Sequence, residues 1–197
     1  MNTDISKPII ILVRTQLPQN IGSTARAMKN CGLSELRLVE PREKWPNDGA
    51  NSMAAGADDI LKNIKVFDNI PSALSDVIHV FSLTARNRDI TKIEIGPDYA
   101  AKKIYENSTK SEKSAILFGP EQSGLTNDEI AYSNFLVKVP MVENFSSLNL
   151  SHAVLLMSWE WRKLFLKNYL SETEYRKISE PQLSHKTPLS TAQERDY

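Results

Sequence analysis

The stretch PIIILVRTQLPQNIGSTARAMKNCGLSELRLVE, residues 8–40, decides the fold. Its opening run, 8–13, is apolar and β-branched with no polar alternation, the pattern of a strand buried on both faces. Residues 20–32 then read as a helix, with Asn20 as its N-cap and Gly32 as its C-terminal stop. Residues 35–40 alternate as a second strand. A strand, a helix and a strand in so short a span form a crossover unit, which joins parallel strands.

The same alternation continues along the chain. Residues 49–61 read as one Ala-rich helix, 64–67 as a strand, 70–76 as a brief helix and 77–83 as a strand. Residues 97–108 form an amphipathic helix opened by Pro97, and 114–119 form another buried strand. A short helix begins at Thr126, where Glu129 stands at capping-box spacing. Residues 135–140 are the last strand, and a long helix runs from about Leu148 to about Leu170. The expectation is an α/β fold: a mostly parallel six-stranded sheet with helices on both faces. Residues 1–170 would form the domain. Residues 171–197 would be a polar tail, in which Thr191 and Glu194 have capping-box spacing, as at the start of a further C-terminal segment.

Composition narrows the function classes. The 197 residues carry 24 Lys+Arg and 24 Asp+Glu, so net charge selects no partner; a local basic face is still enough for nucleic acid. Cys31 is the single cysteine, which rules out an intrachain disulfide and makes the cytoplasm the default compartment. His79, His152 and His185 are far apart and show no metal-ligand spacing, so no metal site is expected. No apolar run reaches membrane-spanning length.

In an open parallel sheet, ligands sit beyond the carboxyl ends of the strands. The loops there are 14–26, 82–89, 118–125 and 139–149. None contains a G-x-G-x-x-G or G-x-x-x-x-G-K-[ST] pattern, and the chain has only seven glycines, so phosphate-cradling cofactor classes lose their basis. A cofactor without phosphates fits better, and S-adenosylmethionine (SAM) is the obvious one. Ser146, Ser147 and Asn149 crowd the start of the long apolar helix, where a cap needs one such side chain.

Three segments, NIGSTARAMKNCG, ILFGPEQSGLTNDEI and VPMVENFSSLNLSHAVLLMSWE, resemble in order and spacing the three motifs of the SpoU-type RNA 2′-O-ribose methyltransferases of the SPOUT superfamily. The resemblance covers roughly residues 8–165. Within that class, FSSLNLSHAV and SLTARNRD are most similar to the tRNA enzymes that act on cytidine or uridine at anticodon-loop position 32. The resemblance implies a deep C-terminal trefoil knot from about residue 77 onward and a homodimer. It also implies SAM-dependent methylation of a ribose 2′-hydroxyl of RNA, without a metal.

It further implies roles for residues. Arg26, Asn20, Glu121, Ser147 and Asn149 would form the catalytic set. A guanidinium is effectively always protonated, so Arg26 suits phosphate binding or alkoxide stabilisation better than a literal base role. The cofactor slot would use Leu83, Thr84, Phe118, Gly119, Pro120, Val139, Met141 and Leu148, mostly through their backbone. Arg14, Lys29, Arg86 and Arg88 lie in or beside strand-end loops and would form a basic rim for RNA.

Each assignment has a structural alternative. Arg26 and the four rim cations also read as solvated surface charge, Glu121 as a turn cap, Ser147 as the cap of the last helix and Asn149 as a first-turn residue. Leu150, Val154, Met157, Trp161, Leu164 and Phe165 form a core stripe. Leu155, Leu156 and Trp159 fall outside it, as a deeper core or a dimer surface would require. Methylation of ribosomal RNA and a catalytically idle RNA-binding module of the same fold are the competing functions.

Overall fold

A computed structural model describes residues 5–85, 91–142 and 147–179. The chain divides into two units, Met1–Leu164 and Phe165–Tyr197. In the first, strands β1 (Ile9–Val13), β2 (Leu36–Val39), β3 (Lys65–Phe67), β4 (His79–Leu83), β5 (Ile93–Ile95), β6 (Ser114–Phe118) and β7 (Phe135–Val137) form one sheet in the order β3-β2-β1-β6-β4-β7-β5. Every pairing is parallel, so all the strands end at one edge.

The helices are α1 (Pro18–Asn30), α2 (Asp48–Ala54), α3 (Asp58–Lys62), α4 (Ile70–Ala73), α5 (Pro97–Thr109), α6 (Asn127–Ala131) and α7 (Leu150–Tyr169), with α7 running across the unit boundary. The central strands are buried on both faces. All five residues of β1 and all five of β6 are buried, as their uninterrupted apolar runs require. At about 1.5–3 kcal/mol per buried aliphatic side chain, β1 alone contributes about 8–15 kcal/mol as an upper estimate.

Four expectations change. The sheet has seven strands, not six: β5 is a three-residue edge strand with its first two residues exposed, too short and polar to show a strand pattern. Helix α1 begins at Pro18, not Asn20. Leu17 is its extended N-cap, and Pro18 occupies the first turn, where its missing N–H costs nothing. The helix expected over 49–61 is two helices, because Ala55 and Gly56 take left-handed φ values of 42° and 85°. The helix-start residue of α7 is Asn149, not Ser147. The Asn149 Oδ1 accepts from the Ser151 N–H at 2.9 Å and the His152 N–H at 3.4 Å.

The remaining elements lie where the sequence puts them, with ends shifted by up to three residues: the strand expected over 135–140 ends at Val137 and the helix expected over 70–76 at Ala73. Gly32 stops α1 at φ +76°. Thr126 and Glu129 close a reciprocal capping box on α6. Two glycines are dictated by close approach. A Cβ on Gly22 would lie 2.0 Å from the Ala50 carbonyl oxygen, so α1 and α2 touch backbone to backbone. A Cβ on Gly119 would lie 2.2 Å from the Leu125 nitrogen, so the loop after β6 folds back on its own start.

At the opposite edge, where the strands begin, Arg37 of β2 is almost fully buried. Its guanidinium donates to Glu35, to Asp76 and to the Ala73 carbonyl. Lys113 adds a second cation to Asp76 at 2.7 Å. Together they hold the Asp76 carboxyl well below the usual carboxylate range, with the Arg37 hydrogen bond the largest cause.

The second unit holds α8 (Glu172–Ser179), to which the sequence reading assigned no element. The Ser171 hydroxyl and Glu174 carboxylate cap it reciprocally, and Arg176 pairs with Glu172 at 2.5 Å. Thr191 and Glu194 lie outside the described residues.

Candidate active site

The sheet reverses its order of filling beside β1. The chain runs outward from β1 through β2 to β3, then returns to lay β6 on the other side of β1. Such switch points are where open parallel sheets bind ligands. The loop after β1 and the loop after β6 meet there, and the start of α7 joins them.

Glu121 holds the three together. Its carboxylate accepts the Gln16 N–H at 2.9 Å, the Leu17 N–H at 3.4 Å and the Asn20 Nδ2 at 2.6 Å. The Asn20 Oδ1 in turn accepts from the Asn149 Nδ2 at 3.2 Å. Each of the three sequence motifs thus supplies one side chain to a single chain of hydrogen bonds. Asn20 can play this part because it is not the helix cap. Its backbone N–H already reaches the Leu17 carbonyl at 3.0 Å, which leaves its buried amide free to bridge.

Beside this chain lies a cavity of about 230 Å³, walled by residues 83–85 after β4, 118–125 after β6, Ser147 and Leu148, and Leu150 and Ala153 of α7. It contains six of the eight residues expected to hold a cofactor: Leu83, Thr84, Phe118, Gly119, Pro120 and Leu148. Val139 and Met141 are not in the wall. Among the described residues the lining includes Glu121 but no lysine or arginine. The Glu121 carboxylate in the wall disfavours a pyrophosphate, whereas a cationic, phosphate-free ligand is compatible with it. Ser147 is exposed at the mouth, and it makes no hydrogen bond to another described residue.

The remaining assigned residues are placed elsewhere. Arg26 is exposed on α1 and has no partner among the described residues. Six residues of helix separate it from Asn20, a rise of about 9 Å. Arg14 is half-buried and paired with Glu129. Lys29 donates to Asp59 at 2.6 Å and to the Gly56 carbonyl at 2.9 Å, tying α1 to α3. Two of the four cations expected on an RNA rim are thus committed to carboxylates of the same chain, while Arg86 and Arg88 lie outside the described residues, as does Ser146. Burial pushes the Cys31 thiol up, against a smaller opposing pull from Arg162, which suits packing and not nucleophilic chemistry. No group of residues suited to a metal ion occurs among the described residues.

Sequence reasoning missed Gln16 and Leu17, whose backbone N–H groups hold Glu121, and the wall residues Gln122 and Ser123. Pro18 carried a usable signal. A proline favours the first helical turn, which shifts Asn20 from cap to interior.

Comparison with known proteins gives the family. The sequence profile described as the SpoU rRNA Methylase family matches residues 7–159. The chain is 38% identical over 185 residues to the tRNA (cytidine/uridine/adenosine-2′-O-)-methyltransferase TrmJ of Pseudomonas aeruginosa, covering 94% of this chain and 71% of that protein. It is 39% identical over 170 residues to the tRNA (cytidine/uridine-2′-O-)-methyltransferase TrmJ of Sodalis glossinidius, covering 86% of this chain and 66% of that protein. The crystal structure of TrmJ from Z. mobilis ZM4 superposes with a TM-score of 0.76 at 41% identity, covering 86% of this chain and 82% of that one. By the profile match over residues 7–159 and the identity to these relatives, this protein is a member of the SpoU rRNA methylase family.

Proposed function

We propose that this chain transfers a methyl group from SAM to a ribose 2′-hydroxyl of tRNA, at a cytidine or uridine in position 32 of the anticodon loop. One observation carries the reading. The polar side chains of three motifs join through Asn20 and Asn149 to Glu121, which stands in the wall of a cavity that has no lysine or arginine among its described lining residues. The named activities of the TrmJ relatives supply the reaction and the RNA class.

Bound SAM would supply a sulfonium methyl already activated for in-line transfer, so the protein's work is alignment and proton management. Residues 83–85 and 118–120 would hold the cofactor through apolar contact and backbone groups. Ser147, at the mouth, would meet the ribose or the methionine end. Asn20 and Glu121 fix the turn that presents them. Arg26 would bind the phosphate next to the target ribose or stabilise the developing alkoxide, roles open to a permanently charged guanidinium.

Arg26 faces solvent, away from the network of its own chain, and this supports a homodimer in which it serves a site completed by the second copy. An apolar face of α7 supports the same reading. Leu155 and Trp159 are 41% and 51% exposed and, with Leu156 and His152, line a surface concavity of about 490 Å³. The convergence of segments 119–125 and 147–153 on one cavity is what the trefoil knot of this superfamily would produce, with α7 threaded past the loop after β6. This enzyme would work in the cytoplasm, where its tRNA is.

Calorimetry with SAM, followed by methyl incorporation into total tRNA and into rRNA, tests the reading. SAM binding with 2′-O-methylcytidine or 2′-O-methyluridine appearing in the tRNA anticodon loop is expected. Incorporation into rRNA alone would replace the substrate. A folded chain with neither heat nor incorporation would be an idle RNA-binding module. Mixing an Arg26→Ala chain with an Asn149→Ala chain should restore activity if the site is shared between copies. Leu155→Glu should yield monomers by light scattering.

A further inference from the structure

The geometry points to Arg14 and Glu129 as a positioning pair that sets the cofactor cavity, not as part of the RNA surface. This inference rests on the reading of that cavity as the SAM site.

Arg14 is the first residue beyond β1, and it takes a left-handed φ of 48°, a conformation that a residue with a side chain adopts only when its surroundings hold it there. Its N–H continues the ladder to the Val39 carbonyl at 2.8 Å, while its guanidinium makes a two-pronged contact with the Glu129 carboxylate. That carboxylate is buried, and it also accepts the Thr126 N–H at 2.6 Å in the α6 capping box.

The two loops are thereby joined at two places. Glu121, near the start of the loop after β6, is gripped by the N–H groups of Gln16 and Leu17. Glu129, just past the end of that loop, is gripped by Arg14 and in turn accepts the Thr126 N–H. Between these fastenings lie residues 121–125, which form one wall of the cavity. An arginine–carboxylate fork fixes both distance and angle, as a single surface ion pair does not. Without it, the turn at Arg14 is free to relax, and Gln16 and Leu17 no longer sit over Glu121. No atom of Arg14 lines the cavity, so its action is indirect.

The test uses Arg14→Gln, Arg14→Lys, Glu129→Gln and the double variant in the full chain. Glutamine at 129 keeps an acceptor for the Thr126 N–H, removes the charge and turns an amide donor toward the guanidinium, which breaks the fork. SAM affinity should fall about ten-fold in Arg14→Gln and in Glu129→Gln, equivalent to about 1.4 kcal/mol. The double variant should be no worse than either single one, and Arg14→Lys should recover part of the loss. Amide hydrogen exchange should speed up at Gln16, Leu17 and 119–125. The tRNA affinity and its salt dependence should stay at the wild-type value.

The inference is overturned if Arg14→Gln leaves SAM affinity and amide exchange unchanged and lowers the salt slope of tRNA binding by about 0.7–0.9, the signature of a lost phosphate contact. A lower melting temperature with intact SAM affinity below the transition overturns it as well, since the pair would then be merely structural. If the wild-type chain takes up no SAM, the functional reading falls separately, and the exchange rates at 16–17 and 119–125 alone decide the clamp.

Discussion

Replacing Asn20 by aspartate separates two roles that the sequence leaves entangled. As an N-cap, Asn20 would tolerate aspartate, since the two are equivalent caps. As the bridge between Glu121 and Asn149, it would not. Its Nδ2 donates to Glu121 at 2.6 Å, a charge-assisted bond worth about 1.5–3 kcal/mol, and its Oδ1 accepts from Asn149 at 3.2 Å, worth about 0.5–1.5 kcal/mol. Alanine removes both, about 2–4.5 kcal/mol as an upper limit. The Asn149 end is solvent-exposed and regains water, so the loss should lie near the lower figure.

Aspartate keeps the acceptor, loses the donor and sets a second carboxylate against the first. At about 3 Å and an effective dielectric near 20, the repulsion is about 5 kcal/mol before the side chains separate or take up a proton. The expected order of stability is therefore wild type, then Asn20→Ala, then Asn20→Asp, read by thermal unfolding at pH 7. Activity should follow the same order. A displacement of about 1 Å at the site costs about 10²-fold in rate, so Asn20→Asp should lose at least that in kcat/KM. An aspartate variant that matches wild type in both melting temperature and rate would refute the bridge and restore the cap.

Three further substitutions probe the frame around the site. Gly22→Ala sets helix propensity, which favours alanine by about 1 kcal/mol, against a Cβ 2.0 Å from the Ala50 carbonyl oxygen. Overpacking of this kind costs about 1–3 kcal/mol, and here the obstacle is backbone, so a lower denaturation midpoint is expected. Gly119→Ala places a Cβ 2.2 Å from the Leu125 nitrogen and should open the loop after β6, weakening SAM binding in calorimetry by more than ten-fold. Asp76→Asn tests the ionic cluster at the far edge. The Asp76 carboxyl is held low by Arg37 and Lys113, so its stabilising effect is present above the ordinary aspartate value near pH 4 and fades as pH falls below it. The melting-temperature gap between wild type and Asp76→Asn should be clear at pH 7 and narrow steadily below about pH 4.

The alternation of apolar strands with helices, the capping box at Thr126 and the stop at Gly32 were legible from residues 8–140 alone, because each is set by neighbours within a few positions. The motif residues Asn20, Glu121 and Asn149 were candidates through the resemblance to the SpoU-type enzymes. Their roles were not legible. Whether Asn20 caps a helix or bridges two loops depends on where Glu121 arrives, 101 positions later in the chain. Arg14 and Lys29 looked like surface cations, since nothing local announces Glu129 or Asp59 as partners. The short edge strand β5 escaped for the same reason: three residues acquire strand geometry only when β7 is there to pair with them. Periodicity and caps act over one or two turns of chain, so the sequence shows which elements form and where many of them stop, though not the caps of α1 and α7. Ion pairs, edge pairing and the convergence of loops at the switch point act between segments brought together by the sheet, and only the tertiary structure decides which charges are left for a ligand.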